Sequence, residues 1–236
     1  MDFKYKIKRF FRNIAIENLM TYIAASMAII FVGDLFTGGM LSQFLAFDRT
    51  AILEGQVWRL ITFLMLPQTG SPVWIVFSVY FYYFIGKETE NEWGSHNLTM
   101  YFLLGAVLLI IAGFITGYSD VSYLYFSLFL VYAHLNPHHQ FMMFMIIPIE
   151  AKWMALIDVV FMLAEFLQAF TIYPISPAIG IAYQLPVIVA FLVYGIFFGK
   201  DHFGGLANKF RHRDFYREMR QSKIKMTKNE RDDDEK

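Results

Sequence analysis

The stretch LTMYFLLGAVLLIIAGFIT, residues 98–116, decides the fold class because it runs for nineteen residues without a charged side chain. A helix needs about 20 predominantly apolar residues to cross the hydrocarbon core of a bilayer. The whole chain of 236 residues is 57% hydrophobic, and its apolar residues are grouped in comparable blocks. Inside lipid, backbone N–H and C=O groups must form hydrogen bonds with one another, so only helices or closed barrels can cross. These blocks lack the period-two alternation of strands, which favours helices. The sequence therefore predicts an all-α membrane protein.

Six apolar blocks, including this one, predict six transmembrane helices. They cover residues 19–36, 73–85, 98–116, 121–133, 154–173 and 178–198. Pro186 falls in the sixth crossing, where we expect a kink or a break. Residues 37–72 contain amphipathic stretches, so this long first outer loop should fold back on the membrane or on the bundle. Residues 141–153 contain Pro148 and are too short to cross, which predicts an interfacial segment.

Positive charge is concentrated at the two ends of the chain. Residues 1–13 hold five Lys and Arg, and residues 200–236 hold eleven of the twenty, while the formal net charge is zero. Cytoplasmic loops carry the excess of Lys and Arg, so both termini should be cytoplasmic. The distribution indicates membrane lipids, not nucleic acid, as the surface contacted. Because no sorting signal is recognised, we expect a bacterial-type plasma membrane.

The same pattern predicts three regions. Residues 1–17 mix basic and aromatic side chains and should form a cytoplasmic amphipathic segment. Residues 18–200 should form the six-helix membrane domain. Residues 201–236 alternate in charge and should form a cytoplasmic tail.

Metal and thiol chemistry are not expected. The chain has no cysteine, which excludes disulfides, thiolate catalysis and Cys-ligated zinc. His134, His138 and His139 are close in sequence, but Pro137 breaks the helix that would align them. We therefore expect neither a metal site nor a cofactor.

Three short motifs occur in a fixed order along the predicted helices. They are GQVWRLITFLMLP at residues 55–67, IGKETENEWGS at 85–95 and LFLVYAHLNP at 128–137. Together they resemble the rhomboid superfamily, and the last is similar to its derlin branch. The resemblance rests on Trp58, Arg59, Gly86, Glu90, Gly94, Ser95, Asn136 and Pro137. It implies a six-helix rhomboid-like bundle with a folded-back first outer loop.

Two of these motif residues have alternative interpretations. Trp58 and Arg59 are either an anchor at headgroup depth, or Arg59 organises the folded-back loop through hydrogen bonds to its carbonyls. Glu90 either caps or braces the second and third helices on the cytoplasmic side, or is a solvated charge in an acidic loop.

Ser119, in the stretch GYSDVSY, raises the question of catalysis. The resemblance implies the nucleophile of the family's proteases at this position, but Asp120 replaces the glycine that should follow it. A serine hydroxyl needs a neighbouring base, and the resemblance implies a histidine on the sixth helix. No histidine lies between residues 173 and 200, and Tyr183 or Gln184 stands near that position.

The residues expected to polarise a substrate carbonyl are also altered. The family's proteases use a His and an Asn on the second helix, and counting back from Glu90 places Trp74 and Ser78 there. The resemblance therefore implies a pseudoprotease, without catalytic residues, that binds transmembrane segments of client proteins. A simpler interpretation of Ser119 and Asp120 is that they cap the N-terminus of the fourth helix.

Two alternative functions are left open. The first is an active rhomboid-type intramembrane serine protease with a non-standard dyad of Ser119 and Tyr183. The second is a small proton- or ion-coupled transporter using Glu165, because Asp158 and Glu165 are acids inside the fifth crossing. They lie seven residues apart and so share one helix face. A homo-oligomer is also left open.

Overall fold

The computed structural model describes residues 15–67, 71–143, 147–174, 176–177 and 179–199, and most of these are helical. In chain order the elements are α1 (Leu19–Thr37), α2 (Met40–Leu45), α3 (Arg49–Leu53), α4 (Arg59–Thr62), a 3₁₀ turn (Phe63–Met65), α5 (Pro72–Trp93), α6 (Ser95–Thr116), α7 (Ser122–Leu135), β1 (Gln140–Met143), β2 (Ile147–Glu150), α8 (Ala151–Ile172) and α9 (Ile179–Gly199). The predicted tail lies outside the described residues, as does nearly all of the predicted N-terminal segment.

Four helices of the described chain are long and apolar enough to cross a membrane: α1, α6, α8 and α9. The chain is therefore an integral membrane protein built mainly of α-helices. Helix α5 has 22 residues, but its tyrosines and its charged last two turns make it more polar than these four. Helix α7 is apolar but has only 14 residues. At about 1.5 Å per residue it is about 21 Å long, shorter than the roughly 30 Å hydrocarbon core.

Helix α7 is the most enclosed helix of the described bundle. Ten of its fourteen residues are buried, and it contacts α5, α6 and α8. The Tyr101 hydroxyl of α6 donates to Ser127, and the Tyr125 hydroxyl donates to the backbone carbonyl of Leu64. A helix that is apolar on all sides is suited to such a position, because each side meets another part of the protein. Its short length is compatible with this enclosed position.

The long segment between α1 and α5 packs back on the bundle. Phe47 is buried, with its ring 5.5 Å from that of Phe63 and 5.8 Å from that of Phe114 on α6. Asp48 caps α3 by accepting from the backbone N–H groups of Thr50 and Ala51. The Thr50 hydroxyl also donates to this carboxylate and, with the Ala51 N–H, holds the pKa of Asp48 below its ordinary value.

Two helices differ from the crossings expected from sequence. Helix α5 continues beyond the predicted crossing at 73–85 through residues 87–93, since Lys and Glu are good helix formers. Gly94 then separates α5 from α6 with φ +86° and ψ +147°, which favour glycine. Pro186 does not break α9, which is assigned as helix from Ile179 to Gly199.

The predicted interfacial segment contains a structure that the sequence analysis did not foresee. Strands β1 and β2 pair antiparallel, with Gln140 opposite Glu150. Pro148 is compatible with this pairing because both strands of a two-stranded hairpin are edge strands.

The chain divides into two compact units, Met1–Tyr194 and Gly195–Lys236, and the site below belongs to the first.

Candidate functional site

Ser119 lies between α6 and α7, but its side chain is turned away from solvent. Its exposed fraction is 6%, and its hydroxyl donates to the carbonyl of Leu109 on α6 at 3.0 Å. The N-cap of α7 is Val121, so the interpretation of Ser119 as an N-cap is wrong. Asp120 has the cap-like role instead, since its Oδ1 accepts from the Ser122 N–H at 2.8 Å and from the Ser122 hydroxyl at 2.6 Å.

The four described histidines lie far from Ser119. His134 is in the last turn of α7, whereas Ser119 precedes the first, which separates them by about 20 Å of helix. His96 is in the first turn of α6 and Ser119 follows its last turn, while His138 and His139 come after α7. None of these imidazoles can accept the Ser119 proton. The other histidines of the chain lie outside the described residues.

A cavity of about 570 Å³ lies beside the loop that carries Ser119. It is lined by Thr116, Tyr118, Asp120, Tyr123, Ile179, Ala182, Tyr183 and Pro186. Tyr183 thus faces the cavity and Ser119 does not line it, so the structure does not bring this proposed dyad together. Burial raises the pKa of Tyr118 in the loop, and the nearby Asp120 and Tyr183 raise it further, which keeps this phenol neutral.

Gln184, which like Tyr183 stands near the position where the rhomboid resemblance implies a histidine, has a different role. It is buried, accepts from the Tyr173 hydroxyl at 2.8 Å and donates to the Phe166 carbonyl on α8 at 3.2 Å. These bonds satisfy the amide on both sides and connect α8 with α9. Gln184 is therefore a structural link, since an amide has no proton-accepting group of useful basicity.

The two intramembrane acids are in different surroundings. Glu165 is exposed on α8 and accepts a hydrogen bond from the Tyr123 hydroxyl, so it lies behind a wall of the cavity. Asp158 is partly buried, and its Oδ2 has no hydrogen-bond partner among the described residues. About 10 Å of helix separates the two carboxylates, because they lie seven residues apart.

Arg59 is the centre of the folded-back loop. Its exposed fraction is 8%, and its Nε donates to Oε1 of Gln56 at 2.8 Å. Nη1 donates to the carbonyls of Gln43 at 2.9 Å and Ala46 at 2.6 Å. These are the hydrogen bonds required if Arg59 organises the loop. Trp58 is exposed, with its ring 5.3 Å from that of Phe44.

Glu90 is a brace between three helices. Its Oε1 accepts from the backbone N–H of Asn18 at 2.8 Å and from the Ser95 hydroxyl at 2.6 Å. It therefore joins the end of α5 to the starts of α1 and α6, and Gly94 makes the turn between these contacts. The brace interpretation fits this geometry, and a solvated charge does not.

Replacing Glu90 with alanine should destabilise the protein by about 2 kcal/mol, because a charged acceptor for two donors is lost. Gln keeps one acceptor oxygen without the charge, so Glu90→Gln should lose about half as much. Glu92, which is exposed on the same helix, is the matched control, and Glu92→Ala should change stability by less than about 0.5 kcal/mol. Thermal unfolding of the purified protein, followed by tryptophan fluorescence, measures all three. Equal effects at Glu90 and Glu92 would contradict the brace.

Asn136 and Pro137 end α7. Asn136 is the C-cap, and its N–H donates to the Tyr132 carbonyl at 2.8 Å. The Pro137 carbonyl accepts from the N–H of Lys152 at 3.3 Å, which ties this turn to the start of α8. Like Glu90 and Gly94, these motif residues lie at helix ends and do not line the cavity.

Tyr118 and Tyr123 were not predicted from sequence as cavity residues. Both lie in GYSDVSY, on either side of Asp120, and both line the cavity with Tyr183. Two aromatic residues flanking an acid in one turn were the signal that could have found them. Trp74 and Ser78, which stand where the resemblance implies residues that polarise a substrate carbonyl, do not line this cavity. Trp74 is exposed on α5.

Comparison with known proteins adds no family assignment, since neither a protein-family model nor a curated protein matches this sequence. Among the described residues, no three His, Asp or Glu side chains are grouped to hold a metal ion. The class that fold and site define is a mainly helical integral membrane protein with an aromatic and acidic cavity beside the α6–α7 loop.

Proposed function

We propose that this chain is a catalytically inactive rhomboid-like membrane protein, a pseudoprotease, that binds transmembrane segments of client proteins. In this proposal α1, α5, α6, α7, α8 and α9 are the six crossings of the bundle, in a bacterial-type plasma membrane with both termini cytoplasmic. The observation that carries the proposal is the buried Ser119 hydroxyl, which donates to the Leu109 carbonyl.

The chemistry around Ser119 supports an inactive site. A hydroxyl bound to a backbone carbonyl, with no imidazole within reach among the described residues, cannot act as a nucleophile. Asp120 next to it places negative charge where hydrolysis would require donors for a developing oxyanion. Both features favour a protein that binds segments without cleaving them.

The surface of α8 supports a role in binding helices. Only 11% of the apolar 18-residue stretch within α8 is buried, the smallest share among the four candidate membrane-spanning helices. Phe161 is exposed on α8, and Phe77 is exposed on α5. Within a bilayer such faces contact lipid, and a client helix can replace lipid there through close packing.

Site-specific photo-crosslinking in cells tests the binding function. A photo-reactive residue at Phe77 or Phe161 should trap integral membrane proteins, and the linked peptides should map to their transmembrane segments. Ile29 on α1 is equally exposed and apolar, so it is the control position and should trap few of the same proteins. If the links mapped to soluble regions, or if Ile29 gave the same proteins, the proposal would be wrong.

A fluorophosphonate probe tests the loss of catalysis. The purified protein should show no labelling, because the probe needs an activated serine. An active serine protease of known reactivity, reconstituted in the same detergent, is the positive control. Labelling that disappears in Ser119→Ala would favour the alternative of an active intramembrane protease.

A further inference from the structure

The cavity beside the α6–α7 loop has one acidic side chain and no basic one among the eight lining residues that the structure describes. The acidic side chain is that of Asp120. Its position is fixed, because Oδ1 accepts from both the backbone N–H and the hydroxyl of Ser122. The carboxylate therefore stays at the cavity wall, and none of the described lining residues is cationic.

Aromatic rings form much of the rest of the wall. Tyr118 is on the loop, Tyr123 is on the first turn of α7 and Tyr183 is on α9, so the rings come from three separate elements. Tyr123 is buried and bound through its hydroxyl to Glu165, which fixes its position and places a second carboxylate behind the wall. The cavity volume of about 570 Å³ is in the range of small-molecule pockets.

This combination is selective for one kind of ligand. The faces of tyrosine rings attract cations, and several rings around one carboxylate are the arrangement that binds ammonium groups bearing apolar substituents. An anion would be repelled by Asp120, and a neutral apolar molecule would gain nothing from it. We propose that this cavity binds the ammonium group of an amphipathic amine, as a free small molecule or as the headgroup of a lipid. The proposal does not depend on client binding.

Choline and its neutral isostere 3,3-dimethylbutan-1-ol are suitable probes, because they differ in charge and hardly in shape. The protein is placed in nanodiscs of phosphatidylglycerol, which has no ammonium group, and saturation-transfer NMR follows each probe against empty nanodiscs. Choline should bind saturably, and the neutral isostere should bind at least roughly tenfold more weakly. Equal binding of the two probes, or no saturable choline signal, would overturn the proposal.

Variants place the binding in this cavity. Asp120→Asn keeps an oxygen for Ser122 but removes the charge, and it should weaken choline binding roughly tenfold. Tyr183→Leu should weaken it severalfold. Tyr80→Leu is the matched control, because Tyr80 is 63% exposed on α5 and Tyr183 is 54% exposed. Loss of binding in Tyr80→Leu, or its retention in both cavity variants, would place the choline elsewhere and overturn the assignment.

A change of lipid distinguishes the two sources of the ammonium group. If a lipid headgroup is the occupant, nanodiscs of phosphatidylcholine should reduce the apparent affinity for free choline at least tenfold, since the headgroup competes. If a free amine is the occupant, the affinity should be the same in both lipids. Either result supports ammonium recognition and assigns its source.

Discussion

Replacing Arg59 with alanine should lower the free energy of unfolding by about 3–5 kcal/mol, the largest effect expected of any single substitution in the segment between α1 and α5. The guanidinium is 8% exposed and donates to Gln56, Gln43 and Ala46. Alanine would leave two backbone carbonyls without their donor, in a segment that also holds Phe47 against α6. The loop would therefore detach from the bundle as well as lose hydrogen bonds.

Two other variants make this test specific. Arg49 is exposed and donates to the Phe114 carbonyl at 3.1 Å, so Arg49→Ala should cost less than about 1 kcal/mol. Arg59→Lys keeps the charge, but a single ammonium cannot reproduce the planar fork, so it should recover less than half of the loss. Titration with denaturing detergent, followed by tryptophan fluorescence, measures each difference. An Arg59→Lys variant as stable as wild type would show that charge alone matters, contrary to this account.

The membrane class and most helix positions could be predicted from sequence, because span length is set by bilayer thickness and charged residues stop the spans. The stretch at residues 98–116 became the core of α6, with its C-terminus at Thr116 as expected. The contacts of Arg59 were also foreseen as one of two alternatives, since a buried guanidinium has to find carbonyls. In these cases the local residue types already restrict the outcome.

Other features depend on contacts between segments far apart in sequence. The Ser119 hydroxyl could cap α7 or form a hydrogen bond with α6. In the packed structure it donates to the carbonyl of Leu109, ten residues away on α6. The β1–β2 hairpin was missed because residues 140–150 are almost continuously apolar and show no alternation. The cavity combines Tyr118 and Tyr183, which are 65 positions apart, and sequence spacing gives no indication that they meet.

The contact of α1 with α5 depends on the absence of a side chain at Gly86. A Cβ atom at this position would lie well inside 3.0 Å of both Cβ and Cγ of Met20, which is itself buried on α1. Neither Met20 atom is at the flexible end of its side chain, so the two helix backbones would have to separate. Overpacking of a core costs about 1–3 kcal/mol and sometimes more, and we expect about 3 kcal/mol for Gly86→Ala.

A glycine elsewhere gives the matched control for this substitution. Outside the backbone of its own helix, a Cβ at Gly195 would meet no atom of the described residues within 4 Å, so Gly195→Ala should be neutral or stabilise its helix by up to about 1 kcal/mol. The double variant Met20→Gly with Gly86→Ala removes the side chain from α1 and adds a methyl group on α5, so the added methyl group has space. It should be more stable than the sum of the two single losses by about 1–3 kcal/mol, because the contact that causes the clash is gone. Strict additivity in this cycle would mean that Gly86 acts through its own backbone and not through its contact with Met20, and the close approach of α1 and α5 would then need another cause.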